Sequence, residues 1–206
     1  MNPILMMVFT ICLFLCSCSE KKEPTPSPKI DVHLLNIPDI TVDKSALVYD
    51  KKSSIWTLDG ALFSGYVESC YQNGILKQKM GVLAGKKQNQ SIDWYPDGHY
   101  SLIANYHLGK LHGEKKIWSS DVPHILIAQL NFKKGKAHGA QKKWYPTGEL
   151  FQKLNMNMGR EEGNQQAFRK NGALFANYEA KEGRIFGLKR AKLCFSLEEE
   201  NIQEEE

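Results

Sequence analysis

The sequence predicts an all-β protein, an elongated single-layer antiparallel β-meander of about five 24-residue β-hairpin repeats, and two observations carry that expectation. The first is a beat of glycines: Gly85, Gly109, Gly135, Gly159 and Gly183 stand 24, 26, 24 and 24 residues apart, with Ala61 in the glycine's place 24 residues ahead of Gly85. The second lies midway between these positions, at Tyr71-Gln72-Asn73-Gly74, Tyr95-Pro96-Asp97-Gly98, Tyr145-Pro146-Thr147-Gly148 and Arg169-Lys170-Asn171-Gly172. A fixed period of this length marks stacked repeats, because one unit cannot bury its surface except against its neighbours.

The half-beats read as hairpin turns. Asn-Gly and Asp-Gly between half-apolar runs signal a tight turn, since the turn needs positive φ and glycine reaches it without a clash. The flanking segments run about eight to ten residues, a strand's length and too short for a stable helix with these glycines. No helix is expected after the N-terminal apolar segment.

Taken from the N-terminus, residues 1–17 read as a lipoprotein signal peptide. Ile4 to Leu15 is almost wholly apolar and runs into Leu15-Cys16-Ser17-Cys18 ahead of the first charges. That length suits the apolar core of a secretory signal better than a bilayer span. Leu-x-Ser-Cys resembles the motif read by bacterial lipoprotein signal peptidase, which makes Cys18 the lipidated residue; Cys16 fits less well behind the large Leu15. Residues 18–29, with Pro24, Pro26 and Pro28, read as a proline-rich tether too extended to pack a core. Residues 30–60 read as an opening segment that docks as an extended strand, followed by a capping hairpin of Leu47-Val48-Tyr49 and Ile55-Trp56-Thr57-Leu58 around Lys51-Lys52. Residues 61–197 form the repeat array, and residues 198–206 an acidic disordered tail.

Overlaying the units sorts the side chains into rows. Trp94, Trp118, Trp144 and Phe168 share one position before the turn, with Cys70 in the first unit. Leu76, Tyr100, Leu126, Leu150 and Leu174 share one after it, and Met80, Ala104, Leu130, Leu154 and Tyr178 lie four residues further on. Even spacing predicts that these residues occupy one face. The aromatic row reads as a core stripe, with a platform for sugar rings as the alternative.

These residues resemble MORN-type repeats in their bacterial variant form, as in the YwqK-type antitoxin-like family. The resemblance rests on the Tyr-Pro-x-Gly turn, the leucine two residues after its glycine, and the closing Gly-Lys-x-His-Gly, as in Gly109-Lys110-Leu111-His112-Gly113. It covers roughly Leu47 to Leu188. Asn89 departs from it by replacing the second glycine of one unit. The third unit loses its turn glycine and gains two residues at Ser119-Ser120-Asp121-Val122-Pro123-His124. The resemblance implies a β-meander used for binding or scaffolding, brings no catalytic residue, and suggests neutralisation of a partner toxin as an alternative function.

Charge is laid out unevenly. The tail carries six of the 23 acids and none of the 27 Lys and Arg, so the remainder of the chain is +10 (27 minus 17). Lys86, Lys110, Lys136, Arg160 and Arg184 share one repeat position. They read either as solvated turn residues that keep the sheet soluble or as an anion-binding spine for acidic lipid head groups, envelope polysaccharide or an acidic protein. Nucleic acid is an unexpected partner for an exported protein.

No catalytic residue, cofactor or metal is expected. Ser119, Ser120, Asp121 and His124 fall within one short loop, whereas a working triad draws on separate elements at set distances. His112 and His138 are one repeat apart, about 10 Å by stacking, too far to share an ion, and His33, His99 and His107 form no evident cluster with them. Cys70 and Cys194 are expected to remain unpaired. The reading that results is a monomeric, non-enzymatic lipoprotein of the bacterial cell envelope, anchored to a membrane and binding a partner through its sheet.

Overall fold

The computed structural model describes residues 36–188. The readings of residues 1–17, 18–29 and 198–206, including lipidation of Cys18, fall outside these described residues, as do Cys194 and His33. Of the two compact units, Met1–Asp31 and Val32–Glu206, all described residues belong to the second. Among them no helix is long and apolar enough to cross a membrane.

The chain runs through β1 (Thr41–Asp43), a one-turn 3-10 segment (Lys44–Ala46), β2 (Val48–Asp50), β3 (Ile55–Leu58), β4 (Ala61–Leu62), β5 (Gly65–Cys70), β6 (Leu76–Leu83), β7 (Lys86–Trp94) and β8 (Tyr100–His107). It continues through β9 (Lys110–Trp118), β10 (Leu126–Lys133), β11 (Lys136–Trp144), β12 (Leu150–Asn157), β13 (Arg160–Glu161), β14 (Gly163–Phe168), β15 (Leu174–Lys181) and β16 (Arg184–Leu188). From β5 onward successive strands pair antiparallel, except that β13 and β14 lie one after the other along β12, giving a long open meander, while β2, β3 and β4 form a small sheet of their own. The exception to the antiparallel pattern is β1, which lies parallel to β5 with Val42 opposite Val67.

The two ends of the hairpins use different turns. At the Asn-Gly and Asp-Gly half-beats only the glycine has positive φ. In the second unit the Gly98 N–H donates to Tyr95 O (2.9 Å) and the Tyr95 N–H to His99 O (2.8 Å), the pattern of a three-residue loop closed by a left-handed glycine. The tighter two-residue turns lie at the other beat. There Leu108 and Gly109 both have positive φ (49° and 80°), as do Ala84-Gly85, Lys134-Gly135, Met158-Gly159 and Glu182-Gly183. The first central residue of such a turn is ordinarily Asn, Asp or Gly, so the turn-rich sequence marked the looser end. In the opening unit the left-handed pair is Asp59 (φ 49°) and Gly60 (φ 79°). Ala61 therefore does not stand in for a turn glycine but begins β4.

Each unit carries a bulge beside its looser turn and all but the last carry a second, and the first overturns the expected common face. Trp94 pairs with Tyr100, but Asp93 pairs with Leu102, so Ser101 is an extra residue. Paired residues share a face, which puts Tyr100 with Trp94 and sends Leu102 and Ala104 to the other side. The same shift separates Leu76 from Met80. Met80 and Ala104 are buried (1% and 0% exposed), whereas the aromatic row is half-buried. The row is thus the border of the opposite, more polar face, not a core stripe.

The second bulge accounts for the second glycine position of every unit but the last, where Gly187 pairs in register with Tyr178. Asn89, Gly113, Gly139, Gly163 and Gly187 all have positive φ, and Asn89 replaces glycine because asparagine is among the few residues that visit this region readily. Between the Leu130–Gln141 and Phe132–Ala137 pairs the neighbouring strand skips Asn131. The Gln141 amide satisfies that residue: Oε1 accepts the Asn131 N–H (3.2 Å) and Nε2 donates to Asn131 O (2.8 Å). Gln165 does the same for Asn155 at the same two distances (3.2 and 2.8 Å). In return Asn105, Asn131 and Asn155 donate through Nδ2 to Glu114 O, Ala140 O and Asn164 O (2.7, 2.6 and 2.8 Å).

Units are joined by two further sets of bonds that repeat along the array. Hydroxyls of Tyr71, Tyr95 and Tyr145 donate to the carbonyls of Trp94, Trp118 and Phe168 (2.8, 2.9 and 3.0 Å). At the opposite edge the N–H groups of Gly109, Gly135 and Gly159 each donate to a carbonyl of the preceding unit, Lys87, Leu111 and Ala137, at 2.8 Å. The apolar core sits where the small sheet meets the opening strands, among Leu47, Trp56, Phe63, Val67, Met80 and Val82. A second, smaller cluster of Ala176, Tyr178 and Ala180 closes the far end.

Candidate functional site

The five cations singled out in the sequence occupy equivalent places: Lys86, Lys110, Lys136, Arg160 and Arg184 are the first residues of β7, β9, β11, β13 and β16. The two-residue turn before each of them sets its position. A Cβ built on Gly109 would lie 3.7 Å from Lys86 Cβ, and one on Gly135 3.7 Å from Lys110 Cβ, so the lysine stems rest over the next unit's turn while the ammonium groups face water. All five are exposed. The ion pairs found among the described residues involve other groups. With two strands per unit the charges stand about 10 Å apart along this edge, close to one Debye length in ordinary salt.

The aromatic row lies toward the opposite edge. Tyr100 bridges Trp94 and Trp118, with ring centroids 6.0 and 5.8 Å away. Trp118, Trp144 and Phe168 then pair across strands with Leu126, Leu150 and Leu174. Next to Trp94 a groove of about 230 Å³ is lined by Lys44, Tyr71, Lys77, Gln78 and Asp93 among others. Its polar floor is already satisfied, as Lys44 Nζ donates to Gln78 Oε1 (2.8 Å) and Gln78 Nε2 to Asp93 Oδ1 (2.7 Å). The groove is smaller than the ~300 to 1,000 Å³ of a usual small-molecule pocket. Nearby, burial holds the Lys87 ammonium below the usual lysine range, with Asp93 partly offsetting it. Its Nζ lies 5.0 Å from the centre of the Tyr106 ring.

No protein-family model, no curated protein and no solved structure matches this chain.

The irregular third unit forms a closed loop that reaches back to its predecessor. Ser119 takes the place that Tyr95 holds in the unit before, its N–H donating to Ile125 O (2.9 Å). The Ser119 hydroxyl donates to Asp121 O (3.1 Å) and accepts the Ile125 N–H (3.0 Å), while the Ser120 hydroxyl donates to Asp121 Oδ1 (3.3 Å). Neither hydroxyl meets His124. That ring instead sets Nδ1 3.1 Å from Ser119 O and Nε2 2.6 Å from Asp97 Oδ2. Both partners are acceptors, an environment that favours a proton on each ring nitrogen. The Ser119 carbonyl, then Asp97 and Asp121, accordingly raise its pKa above the ordinary histidine value. Asp97 is held below the usual carboxylate range, chiefly by the His99 N–H and then by His124.

Sequence spacing kept these groups apart, and the structure brings two histidine pairs together. His99 stacks on His124 with ring centroids 4.5 Å apart, and His107 meets His112 at 5.8 Å because β8 and β9 are adjacent strands. Cys70 is an exposed free thiol. The Asn and Gln side chains that close the bulges went unrecognised in the sequence, although Asn105, Asn131 and Asn155 repeat at 26 and 24 residues and Gln141 and Gln165 at 24. That recurrence was the available signal.

Proposed function

We propose that this chain is a non-enzymatic binding module of the bacterial cell envelope, anchored through a lipid on Cys18, whose sheet edge engages a partner bearing spaced negative charges. Acidic lipid head groups and anionic envelope polysaccharide share that chemistry. The observation that carries the reading is the register of Lys86, Lys110, Lys136, Arg160 and Arg184, one per unit and none in an ion pair among the described residues. A cation near an anionic surface contributes about 1 kcal/mol, so five acting together supply roughly 5 kcal/mol, enough for reversible association. The resemblance to MORN-type repeats supports a scaffold or binding role in the same direction.

The test compares the chain with a variant in which all five positions are glutamine, by co-sedimentation with vesicles containing phosphatidylglycerol and by pull-down with an anionic polysaccharide. Binding that weakens steeply with salt and is lost in the variant supports the proposal. Equal binding by both proteins, insensitive to salt, overturns it. Capture of one stoichiometric protein by both would favour a neutralising binder of the antitoxin-like kind instead.

A further inference from the structure

We infer that Asp97, His99 and His124 form a binding site for a single divalent transition-metal ion, which clips the third unit's inserted loop to the turn of the unit before it. One nitrogen from each ring and one carboxylate oxygen lie within 4.8 Å of one another. Two imidazoles and a carboxylate are donors suited to zinc and its neighbours, and they leave coordination positions open for water or a partner group.

The support behind the ligands resembles that of built metal sites. His124 is the fixed member: its side chain is only 6% exposed, and its ring is sandwiched between Tyr95 at 5.3 Å and His99 at 4.5 Å. Nδ1 faces Ser119 O at 3.1 Å, and this bond fixes the tautomer that presents Nε2 to an ion, as the outer-shell partners of metal-bound histidines do. Asp97 is positioned by the turn itself, its Oδ1 accepting the His99 N–H at 3.1 Å. His99 is the adjustable member, 65% exposed, with Nδ1 3.4 Å from Asp97 Oδ1. Ligand atoms about 2.1 Å from a tetrahedral ion stand roughly 3.4 Å apart, so ion entry must displace the proton between His124 Nε2 and Asp97 Oδ2 and widen that 2.6 Å contact, while a small turn of the exposed His99 ring completes the set.

The site also gives the insertion a role. The two added residues occur in this unit alone, and the loop they build places His124 over the preceding turn. No other Asp-x-His turn is present in the array: the corresponding turns read Asn73-Gly74-Ile75, Thr147-Gly148-Glu149 and Asn171-Gly172-Ala173. Ligand and loop therefore occur together at one position. The His107–His112 pair has two imidazoles at 5.8 Å but is not part of such a three-ligand group among the described residues.

Zinc chloride titrated calorimetrically into the tag-free full-length chain in detergent tests the assignment, with His99→Gln and Asp97→Asn alongside. The exposure of His99 makes His99→Gln the variant that preserves the fold. One ion per chain is expected, with affinity falling in His99→Gln by more than the roughly 10-fold that even an outer-shell loss costs. Imidazole proton–nitrogen spectra should show His99 and His124 shifting together on zinc addition. Absence of binding by the parent chain, equal affinity in His99→Gln, or shifts confined to His107 and His112 would each overturn the site.

Discussion

The opening of the array and its middle are the same fold held together by different means. At the opening, Trp56, Phe63, Val67, Met80 and Val82 make a compact apolar cluster between the small sheet and β5 to β7. Two backbone bonds lock the small sheet to the first turn of the array: Trp56 N–H donates to Gly85 O (2.8 Å) and Gly85 N–H to Phe63 O (2.7 Å). In the middle the buried side chains are Gln88, Ser91, Ala104, Ser119, Ala128 and Gln141, small or polar residues that contribute little apolar area. Cohesion there comes from the amides that close the bulges and from the tyrosine hydroxyls that link successive units. A single-layer sheet has no second layer to pack against, so only its capped end can build a core of large side chains, and the interior units rely on directional bonds to their neighbours.

Substitutions can break or sharpen that contrast, beginning with the opening. Trp56→Ala should cost about 3 to 5 kcal/mol in denaturant unfolding, the usual range for emptying a large aromatic site, whereas no single aliphatic truncation among β9 to β12 should approach it. If one did, the middle would hold a core after all. Gln165→Leu should cost about 1 to 3 kcal/mol, because the N–H of Asn155 loses its acceptor and its C=O keeps only the Glu162 N–H (3.1 Å), beside a side chain that is 0% exposed. A neutral result in thermal unfolding would show that the amides are not what holds the interior units.

Gly148→Val isolates backbone strain from packing. A Cβ there meets nothing within 4 Å, yet φ is 103°, so a loss of about 1 to 2 kcal/mol should come from the conformation alone. Tyr145→Phe removes only the hydroxyl bond to Phe168 O and should cost about 0.5 to 1.5 kcal/mol, detectable as faster amide exchange at the junction of β12 and β14. Lys136→Ala should lie within about 0.5 kcal/mol of the parent. Its effect belongs to anion binding, and a larger stability loss would mean that the lysine stem over Gly159 matters for more than solubility.

The periodic part of this architecture was readable before any coordinates. The two sets of glycines located the turns, although the tight turn was expected at the Asn-Gly and Asp-Gly half-beats and lies at the other beat, and the common position of Lys86, Lys110, Lys136, Arg160 and Arg184 placed those residues in one row. The expectation failed where one extra residue changes the face of a strand. Ser101 looks like an ordinary strand residue, and only its position opposite the Asp93–Trp94 step shows that it is the bulge that separates Tyr100 from Ala104. Ala61 failed for a related reason, because the opening turn comes one residue early at Asp59-Gly60.

The sequence alone therefore determined the hairpin period, the strand content and which residues recur, because these follow from local turn chemistry repeated at fixed spacing. Pairing register decided the rest. Which residues share a face depends on bulges, the role of Gln141 and Gln165 depends on the carbonyl each faces across the ladder, and the Asp97–His99–His124 group depends on a loop folding back 27 residues along the chain. Each is a relation between strands, and relations of that kind exist only once the strands have been laid side by side.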